Sequence, residues 1–91
     1  YMDDILNELK SNNDLKNKFK NIRQILADSK IKDFIQLYRF WYDHLDEFAS
    51  GHIAQVILVI ADAQYRDSFS VDREINVSSM FVQILNELNS K

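Results

Sequence analysis

His52–Asp67 reads "HIAQVILVIADAQYRD", and whether it is helix or strand decides the fold class of the whole chain. Ile53 to Ile60 has the length and β-branched content of a buried strand. As a helix the segment is apolar nearly all round, with a narrow polar stripe of Gln55, Asp62 and Arg66, the pattern of a helix packed on several sides. Helix is preferred because "ADAQYRD" carries the 3.6-residue period past the length a strand needs. The opposing reading extends downstream, where Phe69, Val71, Arg73, Ile75 and Val77 alternate as strand residues do before Ser78 and Ser79 offer caps for a last helix. The sequence therefore predicts an all-α fold, a compact bundle of four to five helices in a single domain over residues 1–91. The alternative is an α+β fold with a small hairpin from residues 53–60 and 69–77.

Upstream, "IKDFIQLYRFWYDHLDEFAS" (Ile31–Ser50) supplies the strongest amphipathic signal. Ile31, Phe34, Ile35, Tyr38, Trp41, Tyr42, Leu45, Phe48 and Ala49 project onto one broad helical arc, with Lys32, Gln36, Arg39, Asp43 and Asp46 opposite. Such a face, at about 1.5–3 kcal/mol per buried large side chain, predicts one continuous helix that forms the spine of the core. Ser50 and Gly51 end it. Toward the N-terminus, Leu15, Phe19, Ile22 and Leu26 recur at helical spacing after several cap residues, and the helix ends near Ser29.

The pentapeptide ILNEL occurs at Ile5–Leu9 and again at Ile84–Leu88. Two adjacent apolar residues and a third at i+4, separated by polar ones, are a common way to write an amphipathic helix, and solenoid units recur far more closely than these copies do. The last helix is read from Val77, Met80, Phe81, Ile84, Leu85 and Leu88. Tyr1-Met2-Asp3-Asp4 spells the metal-binding motif of reverse transcriptases, but that chemistry needs a hairpin and a much larger palm domain. Asp3 and Asp4 are read as acids favoured by the positive end of a helix dipole.

Proline is absent and Gly51 is the only glycine, which removes phosphate-cradling loops and dinucleotide fingerprints from consideration. With no cysteine, thiolate metal sites and disulfides are excluded. His44 and Glu47, at i and i+3, are a lone pair of candidate ligands with no second pair to complete a site, so no metal and no cofactor is expected. The serines match no nucleophile motif, and the expectation is a protein without catalytic residues. The longest apolar run is too short for a bilayer and Tyr1 starts no signal-peptide pattern, so a cytoplasmic protein without membrane contact is expected.

Net charge is −3, unevenly spread. Residues 13–32 carry Lys16, Lys18, Lys20, Arg23, Lys30 and Lys32 against two acids, whereas residues 33–91 hold nine acids against four cations. Two functional readings follow. Leu37 and Phe40, with His44 and Glu47, fall away from the centre of the apolar arc and are candidates for an exposed partner-binding patch. They favour a non-enzymatic protein that binds another protein: an inhibitor, immunity or antitoxin-type protein, or a phage-encoded host-directed one, for which the acidic net charge suggests a cationic target such as a nuclease. The alternative is a nucleic-acid-associated module, or a subunit of a ribonucleoprotein assembly, using Lys16, Lys20 and Arg23 at i, i+4 and i+7.

Overall fold

The computed structural model describes residues 1–89, which form six helices and no strand: α1 (Met2–Lys10), α2 (Leu15–Ser29), α3 (Phe34–Asp43), α4 (Leu45–Phe48), α5 (Ile53–Asp67) and α6 (Arg73–Leu88). Aspartates set three of the helix starts by accepting from orphan amides of the first turn. Asp14 accepts from the Asn17 N–H at 2.8 Å, Asp33 from the Gln36 N–H at 3.0 Å, and Asp72 from the Glu74 and Ile75 N–H groups at 3.0 and 3.2 Å. The Asp72 cap settles the ambiguity downstream of α5. It starts α6 at Arg73 rather than at Ser78, so the alternation from Phe69 to Val77 belongs to a turn and a first helical turn. Ile53–Asp67 is one helix with His52 at its N-cap, and the fold of the described residues is all-α.

α5 and α6 pack against each other along their lengths, α6 packs on its other side against α2, and α2 against α1. The circuit closes through α3 and the one-turn α4, which touch α5, while α4 also touches α1. Trp41 is fully buried within this ring. Its indole meets the rings of Phe40, Phe48 and Phe81 edge-on, with centroids 4.8, 5.6 and 5.2 Å apart. Such contacts are each worth about 0.5–1.5 kcal/mol beyond the area they bury. Ile5, Leu6 and Leu9 of the first ILNEL copy, and Ile84 and Leu85 of the second, enter the same core. The two copies thus do the same packing job on α1 and α6.

The third segment departs from a single rod. It divides at His44, whose φ of −108° and ψ of 17° leave the helical region. The His44 N–H still donates to the Phe40 carbonyl at 3.1 Å, while its ring Nδ1 lies 2.7 Å from the same oxygen and donates to it as well. Past this point the bonding tightens, with the Glu47 N–H donating to the His44 carbonyl at 3.0 Å. The bend turns Leu45, Phe48 and Ala49 inward, where α4 meets α1 and α5. The buried face of α3 is also rotated from the expected arc. Phe34, Leu37, Tyr38 and Trp41 are buried, whereas Ile35 and Tyr42 lie on the surface.

Among the described residues, two hold left-handed backbone: Gly51, between α4 and α5, at φ 86°, and Lys30, ending α2, at φ 50°. Glycine enters this region without penalty, and a residue with a β-carbon is disfavoured there by about 1–2 kcal/mol. Substitutions at the two sites should therefore act in opposite directions. Lys30→Gly is expected to raise the urea-unfolding free energy by about 0.5–1 kcal/mol and Gly51→Ala to lower it by about 1 kcal/mol. Equal effects at both sites would show that the turns do not hold these conformations.

Candidate interaction surface

α3 is locked against α5 and α6 by a polar network at one end of the bundle. The Tyr38 hydroxyl donates to Asp67 at 3.0 Å and accepts from the Asn76 side-chain amide at 3.2 Å, and that amide also donates to the Ala63 carbonyl at 2.9 Å. Arg73 binds the Asp67 carboxylate through Nε and a terminal nitrogen, and its guanidinium lies 4.1 Å from the centroid of the Phe34 ring. Burial, and then the hydrogen bond to Asp67, push the Tyr38 hydroxyl up to about 12. The Arg73 hydrogen bonds hold the Asp67 carboxyl below the usual carboxylate range, against the opposing effect of its burial.

With α3 fixed in this way, an open groove of about 510 Å³ runs between α3 and α5. Ile35 and Tyr42 form its α3 wall, Ile57 and Ala61 its α5 wall, and Tyr38 and Ile60 line it from the core side. The apolar surface does not stop at the groove. Leu58 and Tyr65 follow on the outer side of α5 and are 70% and 68% exposed, while Ile35 is 71% and Tyr42 47% exposed. Phe69, just past α5, sets its ring 5.2 Å from that of Tyr65. Two ion pairs border this surface, Arg39–Asp43 at 3.0 Å on α3 and Arg66–Asp62 at 2.9 Å on α5. Both are exposed i, i+4 pairs, so the border is charged but locally neutral.

Of the four residues read from the sequence as a partner-binding patch, Leu37 lies in the core, while Phe40, His44 and Glu47 lie together at the break between α3 and α4. Leu37 is fully buried, so it packs the core and offers nothing to a partner. Phe40 is half-buried, packed edge-on to Trp41 and stacked on His44 at a centroid distance of 4.0 Å. His44 Nε2 lies 3.7 Å from Glu47 Oε2, and the pair flanks the break between α3 and α4. Among the described residues, no three metal-ligating side chains converge. None of their helices is long and apolar enough to cross a membrane. Ile35 and Tyr42, which the amphipathic arc places toward the core, are exposed, as are Leu58 and Tyr65 on the helix read as packed on several sides. The signal for them was present: a helix apolar nearly all round, in a chain this small, has more apolar faces than neighbours to cover them.

Lys16, Lys20 and Arg23 come together on α2 as their spacing requires, around a shallow concavity of about 480 Å³ that Phe19 and Ala27 also line. None of the three is in an ion pair among the described residues. Lys18 faces elsewhere and donates to the Leu9 carbonyl at 3.0 Å. Comparison with protein-family models, curated proteins and solved structures yields no match.

The network that fixes the groove has a pH signature. A carboxyl whose folded-state value is depressed contributes stability that is complete above its unfolded value, near 4, and is lost as pH falls through the folded value. The Asp67→Asn variant is therefore expected to have a lower melting temperature than the wild type at neutral pH, with the gap closing as both are acidified through and below the ordinary carboxylate range. A constant gap from neutral to acid pH would show that the Asp67 charge does not support the folded state.

Proposed function

We propose that this protein works by binding rather than catalysis, docking the α3/α5 apolar face onto another polypeptide. The observation that carries this reading is the exposure of Ile35 and Tyr42 on the α3 wall of the groove and of Leu58 and Tyr65 on α5, the helix that forms its other wall. Large side chains left in water at this density are costly unless something covers them. Aromatic anchors inside a polar rim are also the usual anatomy of a protein–protein interface. A small acidic protein acting in this way belongs with inhibitors, immunity and antitoxin proteins and phage-encoded host-directed proteins. A chain free of cysteine suits the reducing environment of the cytoplasm, where we place it.

The test separates docking from packing. Leu58→Glu changes a surface side chain, so its effect on unfolding free energy is expected to stay within about 0.5 kcal/mol while complex formation with a partner captured from the native host is lost. An unchanged set of captured proteins would remove the reading.

One observation favours a second reading, that of a nucleic-acid-associated module. Lys16, Lys20 and Arg23 lie together beside the Phe19 ring without acidic partners among the described residues. On this reading the chain binds RNA or DNA with an affinity that falls as salt rises, and replacing the three cations by Ala lowers the slope of log affinity against log salt by about 2–3. Absence of binding at low salt would dismiss it.

A further inference from the structure

α5 carries two apolar faces, one buried through Val56, Ile60 and Ala63 and the other exposed through Ala54, Leu58, Ala61 and Tyr65. The exposed set is spaced four, three and four residues apart, the a/d spacing of a helix that packs along a second helix. Nothing within the described chain occupies that seam. From it we infer that the occupant is a second copy of this chain, the two α5 helices pairing antiparallel about a twofold axis. The inference rests on the reading of the α3/α5 face as a docking surface and names its partner.

Side-chain size selects this arrangement. The seam alternates small and large, Ala54, Leu58, Ala61, Tyr65. With a twofold axis passing between Leu58 and Ala61, Ala54 of one copy faces Tyr65 of the other, and Leu58 faces Ala61, so every bulky residue meets a small one. A parallel pair in register would instead set Tyr65 against Tyr65 and Leu58 against Leu58, leaving gaps at both alanines. Isologous pairing also demands a surface that does not repel itself. The border satisfies this, since Arg39 and Arg66 are each neutralised by an acid one turn away on the same helix. A strongly cationic or anionic partner would find no net charge of the opposite sign there.

The area is adequate. Leu58 and Tyr65 with Phe69, and Ile35 and Tyr42 widening the seam on the α3 side, keep between 47% and 71% of their surface in water. Five large side chains at that exposure present about 100 Å² or more each, about 500 Å² or more per copy, so a pair reaches the roughly 1,000 Å² of total buried area that a specific interface needs.

The complete chain is examined by sedimentation velocity over a dilution series and by oxidative cross-linking, for which the cysteine-free sequence is a clean background. A species of twice the 10.8 kDa chain mass that dissociates on dilution is expected, with Leu58→Glu weakening association at least about tenfold and leaving the helical circular dichroism spectrum unchanged. The double variant Ala54→Cys/Tyr65→Cys should form disulfide-linked dimers and Ala54→Cys alone should not. Cross-linking by Ala54→Cys alone would indicate a parallel pair and overturn the antiparallel seam. A wild-type monomer at every concentration would overturn the inference altogether. In that case, loss of a heterologous complex in Leu58→Glu would preserve the docking reading, whereas capture indifferent to the substitution would remove both.

Discussion

The burial of Trp41 is the constraint on which the architecture turns. Its ring is enclosed by Phe40, Phe48 and Phe81, which come from α3, α4 and α6, so a single side chain ties three helices to one point. The enclosure is apolar enough that the indole Nε1 is buried without a hydrogen-bond partner among the described residues. Giving up that bond costs about 1–3 kcal/mol, and the ring contacts and buried area offset it. The bend at His44 follows from the same requirement. A straight continuation of α3 would carry Phe48 along the rod, and the one-turn α4 brings it back to within 5.6 Å of Trp41.

Filling the centre with rings has a consequence for the surface. Trp41, Tyr38 and Phe81 are the largest side chains of the interior, and α5, wedged among α3, α4 and α6, presents one of its apolar sides to it. The other side faces water together with the α3 flank that the bundle leaves uncovered. The polar network of Tyr38, Asp67, Asn76 and Arg73 then holds α3 at a fixed distance from α5, so the groove between them is a shaped feature rather than a fluctuating gap.

Much of the fold could be read from periodicity alone, because burial in helices leaves a 3.6-residue record. The buried registers of α1, α2 and α6 follow Ile5/Leu6/Leu9, Ile22/Leu26 and Met80/Phe81/Ile84 as the pattern implies. The third segment misled because a ring counts as apolar wherever it points. Ile35 and Tyr42 were indistinguishable by composition from Phe34 and Tyr38, and only the direction from which α5 and α6 approach decides which pair is covered. Leu37 lies in the core for the same reason, since a wheel centred on the wrong residues places part of the true interior at its edge. The start of α6 was hidden by a strand-like alternation, although Asp72 with acidic Glu74 in the following turn is a helix-start signal. The basic trio on α2 needed no tertiary information, being set by spacing on one helix.

The way α5 joins α6 also bears on the route by which the chain folds. Residues 68–72 close these two helices into a hairpin through a short connection, at small entropic cost. Bringing Asn76 to Tyr38, 38 residues away, or α6 to α2, requires far longer loops to close first. An early α5–α6 hairpin is thus favoured, and until α3 arrives it leaves the α3-facing side of α5 in water together with the outer one. The partly assembled chain is consequently its stickiest form, and the speed with which α3 docks sets how long that hazard lasts.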